Sequence, residues 1–345
     1  MRTAAVILVC CLSFASAPGT ASAWGASGHR MINGAAARGL PADLPAFLRA
    51  ASAHDEIAIL GVEADRVRGS GQPLDGDDDP AHFVNVQDDL TIGGLPLSGL
   101  PANRHAYDAR LRTGTPPADQ YAAGYLPYQI ADNWERIVRD LGYWRVDVVG
   151  EQKGATAEDR AFFALDRRVR EAVTLRDIGY WGHFVADGSQ PLHASVHYNG
   201  WNSTRDDNFP NPNGYSNSHT IHSRFESALV RSVGTEDLVF AHMPPMQRGS
   251  TAPILARVGA YLSATAAGVP RVYELEQAGG IDGRSAEATS FVLDRLGAGA
   301  AQLRDLIASA WDVSADAKVG YPAVSVHDLE AGTIVPTRSL VGFGD

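Results

Sequence analysis

The chain has 345 residues, of which 45 % are hydrophobic and 20 % charged, with 40 Asp and Glu against 29 Lys and Arg. A net charge of -11 excludes non-specific binding of nucleic acid or anionic lipid through a broad basic face. The length suits one large domain or two modest ones, and no linker divides it convincingly.

Met1-Arg2 followed by the small, apolar stretch Ala4 to Ala17 and by Ala21-Ser22-Ala23 fits a secretory signal peptide. Residues 1–23 are therefore expected to be removed, which makes Trp24 the first residue of a secreted or periplasmic protein. Without Arg2 the mature chain carries 28 basic residues against 40 acidic ones, a net charge of -12. Both cysteines, Cys10 and Cys11, lie in the leader. Stability is then expected from core burial and from metal, not from disulfides.

The spacing predicts a first helix over Ser27 to Gly39 and a second helical stretch over His54 to Arg68. Gly69 to Pro80 is expected to be a turn-rich acidic loop. Leu126 to Leu141 is amphipathic, with Ile130, Trp134, Ile137, Val138 and Leu141 at helical spacing. Ala157 to Ala186 reads as one or two longer helices ended by Gly188 and Pro191. Residues 198 to 218 form a loop rich in Asn, Gly and Pro, long enough to suggest a functional role. Ile221 to Val233, Ala252 to Ala267 and Ala286 to Trp311 return to helix. In the last segment Val324, Val326, Ile334 and Val335 around Gly332 suggest a β-hairpin or an extended tail. The expected architecture is a mainly α, single compact domain over 24–318, with 319–345 as a C-terminal extension.

The strongest chemical signal is His183-Phe-Val-Ala-Asp187-Gly-Ser-Gln-Pro-Leu-His193. His183 and Asp187 are four apart on a predicted helix and leave the same face. His222-Ser-Arg-Phe-Glu226 repeats that spacing on a second helix. Two helices that each turn a His and a carboxylate inward can build a metal site in a helical core. Burying these five ionisable groups without a counter-charge would cost many kcal/mol, and divalent cations remove that cost.

This central motif resembles the one shared by bacterial zinc-dependent phospholipase C and the single-strand-specific zinc nucleases. Trp24-Gly-Ala-Ser-Gly-His29 is similar to the mature start of those nucleases, and Asp65 followed by His82-Phe83-Val-Asn85 matches the remaining ligand motif. The resemblance spans residues 24 to 226. It implies three zinc ions per chain. The first would be held by Asp65, His82, His183 and Asp187; the second by the Trp24 amine and carbonyl, His29 and the bridging Asp187; the third by His193, His222 and Glu226. It further implies hydrolysis of a phosphate ester by in-line attack of a zinc-activated hydroxide, with Asp65, Arg68 and Asp187 in the catalytic machinery.

Features of both branches are present. The Trp24 to His29 spacing and Arg68, three residues after Asp65, are nuclease-like. Glu226 in the last ligand motif and Asn85 in place of an Asp that reads the base edge beside Phe83 are phospholipase-like. Tyr198, Trp201 and Tyr215 could enclose a quaternary ammonium or stack on bases, and Asp206 and Asp207 would favour a cationic head group. His197 and His219 are not expected to be ligands. The acidic balance and Glu226 favour a monomeric phospholipase C that acts on phosphatidylcholine-like lipid at a membrane surface and releases diacylglycerol and a phosphorylated head group. The alternative is an endonuclease and 3'-nucleotidase acting on single-stranded RNA and DNA.

Overall fold

The computed structural model describes residues 24–114, 117–201 and 209–344. The expected signal peptide, with Cys10 and Cys11, lies outside the described residues, as do Asp206 and Asp207. Among the described residues the architecture is mainly α, with two small antiparallel hairpins.

Helix α1 (Gly25–Arg38) runs directly from Trp24 and buries His29, Ile32 and Asn33. Helix α2 (Ala51–Leu60) ends at Gly61, and a separate 3-10 turn, Ala64–Val67, presents Asp65. The expected acidic loop contains a short helix, α3 (Pro73–Asp78), and a 3-10 turn, Asp79–His82. Pro73 at the first position of the helix and Pro80 at the second of the 3-10 turn supply a preset φ where no amide donor is needed. The hairpin β1 (Thr91–Ile92) and β2 (Leu95–Pro96) and the short helices α4 (Arg104–Arg112) and α5 (Gln120–Ala123) follow.

The centre of the fold is an antiparallel pair, α6 (Leu126–Lys153) and α7 (Ala157–Asp187), joined by a tight turn. Helix α6 runs past the amphipathic stretch seen in the sequence because Val146, Val149 and Gly150 continue its buried face. Helix α7 starts at a capping box, in which the Asp159 amide donates to Thr156 Oγ1 at 3.0 Å and the Asp159 carboxylate accepts from the Thr156 amide at 3.2 Å. Its other end comes close to α1 and α2 because it carries glycines. A Cβ on Gly179 would lie 2.4 Å from Leu60, and one on Gly182 would lie 2.5 Å from the Asn33 side chain. Asn33 uses that proximity to donate to the carbonyls of Ile57 and Gly179, each at 3.0 Å, which ties three helices together.

After a 3-10 turn, Pro191–His193, and the long loop, α8 (Ile221–Ser223) passes through a π turn, Arg224–Leu229, into α9 (Val230–Val233). Helices α10 (Glu236–Ala241), α11 (Ile254–Ala266), α12 (Val269–Gln277), α13 (Gly280–Gly283) and α14 (Ala286–Ser314) complete the bundle. Strands β3 (Lys318–Val319) and β4 (Val324–Ser325) form a hairpin in the C-terminal segment, followed by α15 (Val326–Glu330).

The hairpin is therefore centred on residues 320–323 and not on Gly332, because Gly320 takes the left-handed turn at φ 82° and Val326 opens a helix. The segment buries Val319, Val326, Leu329 and Leu340 against Val146 and Phe163. Phe163 is about 30 Å along α7 from His183 at 1.5 Å per residue, so this segment closes the far end of the bundle. No helix of the described residues is long and apolar enough to cross a membrane.

Candidate metal centre

Six pieces of chain converge where α7 ends. Helix α1 brings His29, the turn after α2 brings Asp65, the turn after α3 brings His82, α7 brings His183 and Asp187, and the segments beyond bring His193, His222 and Glu226. The extended segment after His82 locks two of them together: the Val84 amide donates to the His193 carbonyl at 2.8 Å, and His193 Nδ1 donates to the His82 carbonyl at 2.6 Å. Gly124 makes room for that segment. Its φ is 76°, and a Cβ there would lie 2.1 Å from the Phe83 carbonyl oxygen. The π turn carries Glu226 inward beside His222, at 2.8 Å from its Nε2.

Three groups of side chains each bring ligand atoms together closely enough to hold a metal ion: His29, His183 and Asp187; Asp65, His82 and His183; and His193, His222 and Glu226. Asp187 is fully buried and faces two ways. Its Oδ1 is 3.5 Å from His29 Nε2, and its Oδ2 is 3.1 Å from His82 Nδ1 and 3.4 Å from His183 Nε2. His183 Nε2 is 3.0 Å from His82 Nδ1 and 3.8 Å from Asp65 Oδ1. In the third group His193 Nε2 is 3.1 Å from His222 Nε2 and 3.6 Å from Glu226 Oε2. Ligands about 2.1 Å from a tetrahedral ion are roughly 3.4 Å from one another, and these separations scatter around that value.

Tautomers support the same interpretation. A carbonyl can only accept, so His183 Nδ1 donates to Gly61 at 2.8 Å and His222 Nδ1 donates to Tyr198 at 2.7 Å, as His193 Nδ1 does to His82. Each of these rings therefore turns its other nitrogen into the cluster. Gln190, fully buried, donates to Glu226 Oε2 at 3.2 Å and accepts from the Leu192 amide at 2.7 Å, which fixes the carboxylate. Asp187 Oδ1 and Glu226 Oε1 are buried without a hydrogen-bond partner.

Burial, reinforced by the neighbouring His183, holds His82 well below the ordinary imidazole value. Burial also lowers His183 to about 4, against the pull of the Asp65 charge. It raises Asp187 well above the ordinary carboxyl value, and the charge of Asp65 adds to the effect. At the third group burial alone would lower His222, but Glu226 outweighs it and His222 is raised. Burial would likewise raise Glu226, yet His222 and His193 bring it down to about 2. Metal-free, the cluster thus needs protons on Asp187 and His222 to pair its converging atoms. Divalent cations would take the place of those protons, and the donor set of imidazoles and carboxylates fits them.

Trp24 is fully buried beside this end of α7. Its indole Nε1 donates to the Ala186 carbonyl at 2.9 Å and to Ser189 Oγ at 3.0 Å. Its carbonyl accepts from Gly28 at 3.1 Å as the first acceptor of α1. Its φ of 28° is an outlier for a bulky residue, and that torsion exists only while another residue precedes Trp24.

Arg68 reaches Asp65 at 3.4 Å and Asp79 at 2.8 Å. Phe83 is half-buried directly after His82, and Asn85 donates its amide to the Ala122 carbonyl at 2.8 Å. Tyr198 is exposed, but Trp201, expected at the substrate, is only 6 % exposed. Its ring stacks on His197 at 3.8 Å, packs against Tyr215 and Tyr273, and donates to the Pro210 carbonyl, so it forms the core of its own loop. Tyr215 is buried with it. His197 pairs with Asp88 at 2.9 Å, and His219 is exposed.

What sequence reasoning missed is how these side chains are oriented: by the main-chain carbonyls of Gly61, Tyr198 and His82 and by the Gln190 side chain. Of these roles only that of Gln190 had a sequence signal, its place inside the central motif. Comparison of the chain with family models, with curated proteins and with solved structures gave no match.

Proposed function

We propose that the protein is a secreted zinc-dependent phosphoric-ester hydrolase, and that its substrate is a glycerophospholipid with a cationic head group, split at the phosphodiester in the manner of a phospholipase C. The observation that carries the hydrolase reading is the two-way carboxylate of Asp187, set between His29 on one side and His82 and His183 on the other. In this reading Asp65, His82, His183 and Asp187 hold one ion, His29 and Asp187 a second with the freed Trp24 terminus, and His193, His222 and Glu226 a third.

Zinc bound there would supply Lewis acidity and a water acidic enough to ionise near neutral pH. Three divalent ions against the carboxylates of Asp65, Asp187 and Glu226 leave a local charge of about +3, which suits a phosphate group in an otherwise acidic protein. Arg68, held by Asp65 and Asp79, adds a further cation at the edge of the cluster.

Two observations favour a cationic head group over a nucleic-acid strand. The segment leading into His82 carries Asp75, Asp77 and Asp78 besides the Asp79 that pairs with Arg68, a run of negative charge that repels a polyanion and attracts an ammonium group. Asn85, anchored by donating one N–H to the Ala122 carbonyl, lacks the charged carboxylate with which an Asp at that position would read a base edge. The half-exposed ring of Phe83 next to His82 supports the second reading, a single-strand nuclease in which bases stack on that ring.

The test is a paired assay on zinc-loaded protein, with phosphatidylcholine vesicles in one arm and single-stranded RNA and DNA in the other, each repeated with a chelator. Chelator-sensitive release of phosphocholine alone supports the proposal. Cleavage of the strands without lipid hydrolysis replaces it with the nuclease reading.

A further inference from the structure

We infer that Tyr273, on α12, is the positioning residue that sets His222 for the third metal ion, an inference that rests on the metal-centre reading above. Its hydroxyl donates to the His197 carbonyl at 2.7 Å and accepts from the Gly200 amide at 3.0 Å. One buried oxygen thus closes both ends of a four-residue segment.

The two residues inside that bracket are the ones that hold His222. The Tyr198 carbonyl accepts from His222 Nδ1 at 2.7 Å, and Asn199 Oδ1 accepts from the His222 backbone amide at 3.3 Å. The first contact fixes the ring tautomer and leaves Nε2 for the cluster, 2.8 Å from Glu226 and 3.1 Å from His193. Residues 197–200 lie in neither helix nor strand, apart from an isolated bridge between Tyr198 and Gly200. No regular ladder therefore holds the Tyr198 carbonyl in place, and the tyrosine hydroxyl takes over that role. The ring itself packs on Trp201 at 5.1 Å and Tyr215 at 5.6 Å. Tyr273→Phe keeps this packing and deletes only the bracket. Partners that orient a ligand from outside the coordination sphere change metal affinity by about 10- to 100-fold when removed. Because Tyr273 acts through one further bond, the lower end applies.

The experiment is a zinc titration of metal-free protein beginning at Trp24 against a competing chromophoric chelator, at equal folded fraction by circular dichroism. Tyr215→Phe serves as control, since it removes a hydroxyl of the same aromatic cluster that lies outside the bracket. The expected result is three sites in the parent and in Tyr215→Phe, with one of the three about tenfold weaker in Tyr273→Phe. Three unchanged sites in Tyr273→Phe would overturn the inference, as would equal weakening of all three, which would indicate general loosening. A parent that binds no zinc would overturn the metal-centre reading itself. Should Tyr273→Phe fail to fold, Asn199→Ala removes a bracketed contact to the same His222. It must show the same selective loss, and its absence counts against the inference.

Discussion

Replacing Asp187 with Asn should change stability in opposite directions with and without metal. The side chain is fully buried, and its two oxygens face imidazole nitrogens of His29, His82 and His183 at 3.1–3.5 Å. In the metal-free protein the folded carboxyl titrates well above its ordinary value, chiefly through burial. Between the unfolded value near 3.8 and that raised folded value the native state binds more protons than the unfolded chain. Stability therefore falls as pH rises, by up to about 1.4 kcal/mol per pH unit in that window.

Asn removes this penalty, so metal-free Asp187→Asn should be as stable as the parent or more so at pH 7. With zinc the sign reverses. An amide can ligate through one oxygen only and places an NH2 against imidazole nitrogens that must face metal. One of the two sites loses its ligand and the other keeps only a neutral, weaker one, which should cost at least about 100-fold in affinity at the first, near 2.7 kcal/mol. The assay is a set of four thermal melts, parent and variant, with excess zinc and with chelator. The reasoning is refuted if Asp187→Asn lowers the chelated melting temperature like an ordinary core lesion while the zinc-induced rise stays at the parent value.

Two further outcomes follow from the same geometry. On acidification protons should displace metal from all three positions, because Asp187, shared by the first two, and His222, at the third, both titrate above their ordinary values in the metal-free protein; metal content after dialysis across pH 8 to 5 reads this directly. Gly124→Ala should lower both stability, by about 1–3 kcal/mol, and zinc affinity, since its φ of 76° and the 2.1 Å approach to the Phe83 carbonyl would force the segment after His82 to move; an unchanged denaturation midpoint would show that the turn adapts freely.

Much of the centre was legible because its ligands come in helical spacing. His183 and Asp187, and His222 and Glu226, are four apart, a spacing that puts the first pair on one face of α7, while the second pair meets through the π turn that carries Glu226. The lines that hold those rings were not legible, because their acceptors are main-chain carbonyls of Gly61, Tyr198 and His82, and every residue carries such a carbonyl. Trp201 illustrates the limit from the other side. Its neighbours in sequence are polar and turn-forming, yet Tyr273, contributed by a helix more than 70 residues on, covers it. The C-terminal hairpin was misplaced for a local reason. Val324 and Val326 look like one strand, but the chain turns at Gly320 and starts α15 at Val326, so the β-branched residues belong to two elements.

The most direct test of the central claim is the zinc content of two purified forms, one beginning at Trp24 and one with a few extra residues before it. The structure packs Trp24 against Ala186, next to Asp187, and only a free terminus gives that position an amine to share with His29. The account predicts three zinc ions in the first form and two in the second. Equal zinc content in both would contradict the role of the processed terminus, and no tightly bound zinc in either would contradict the metal centre as a whole.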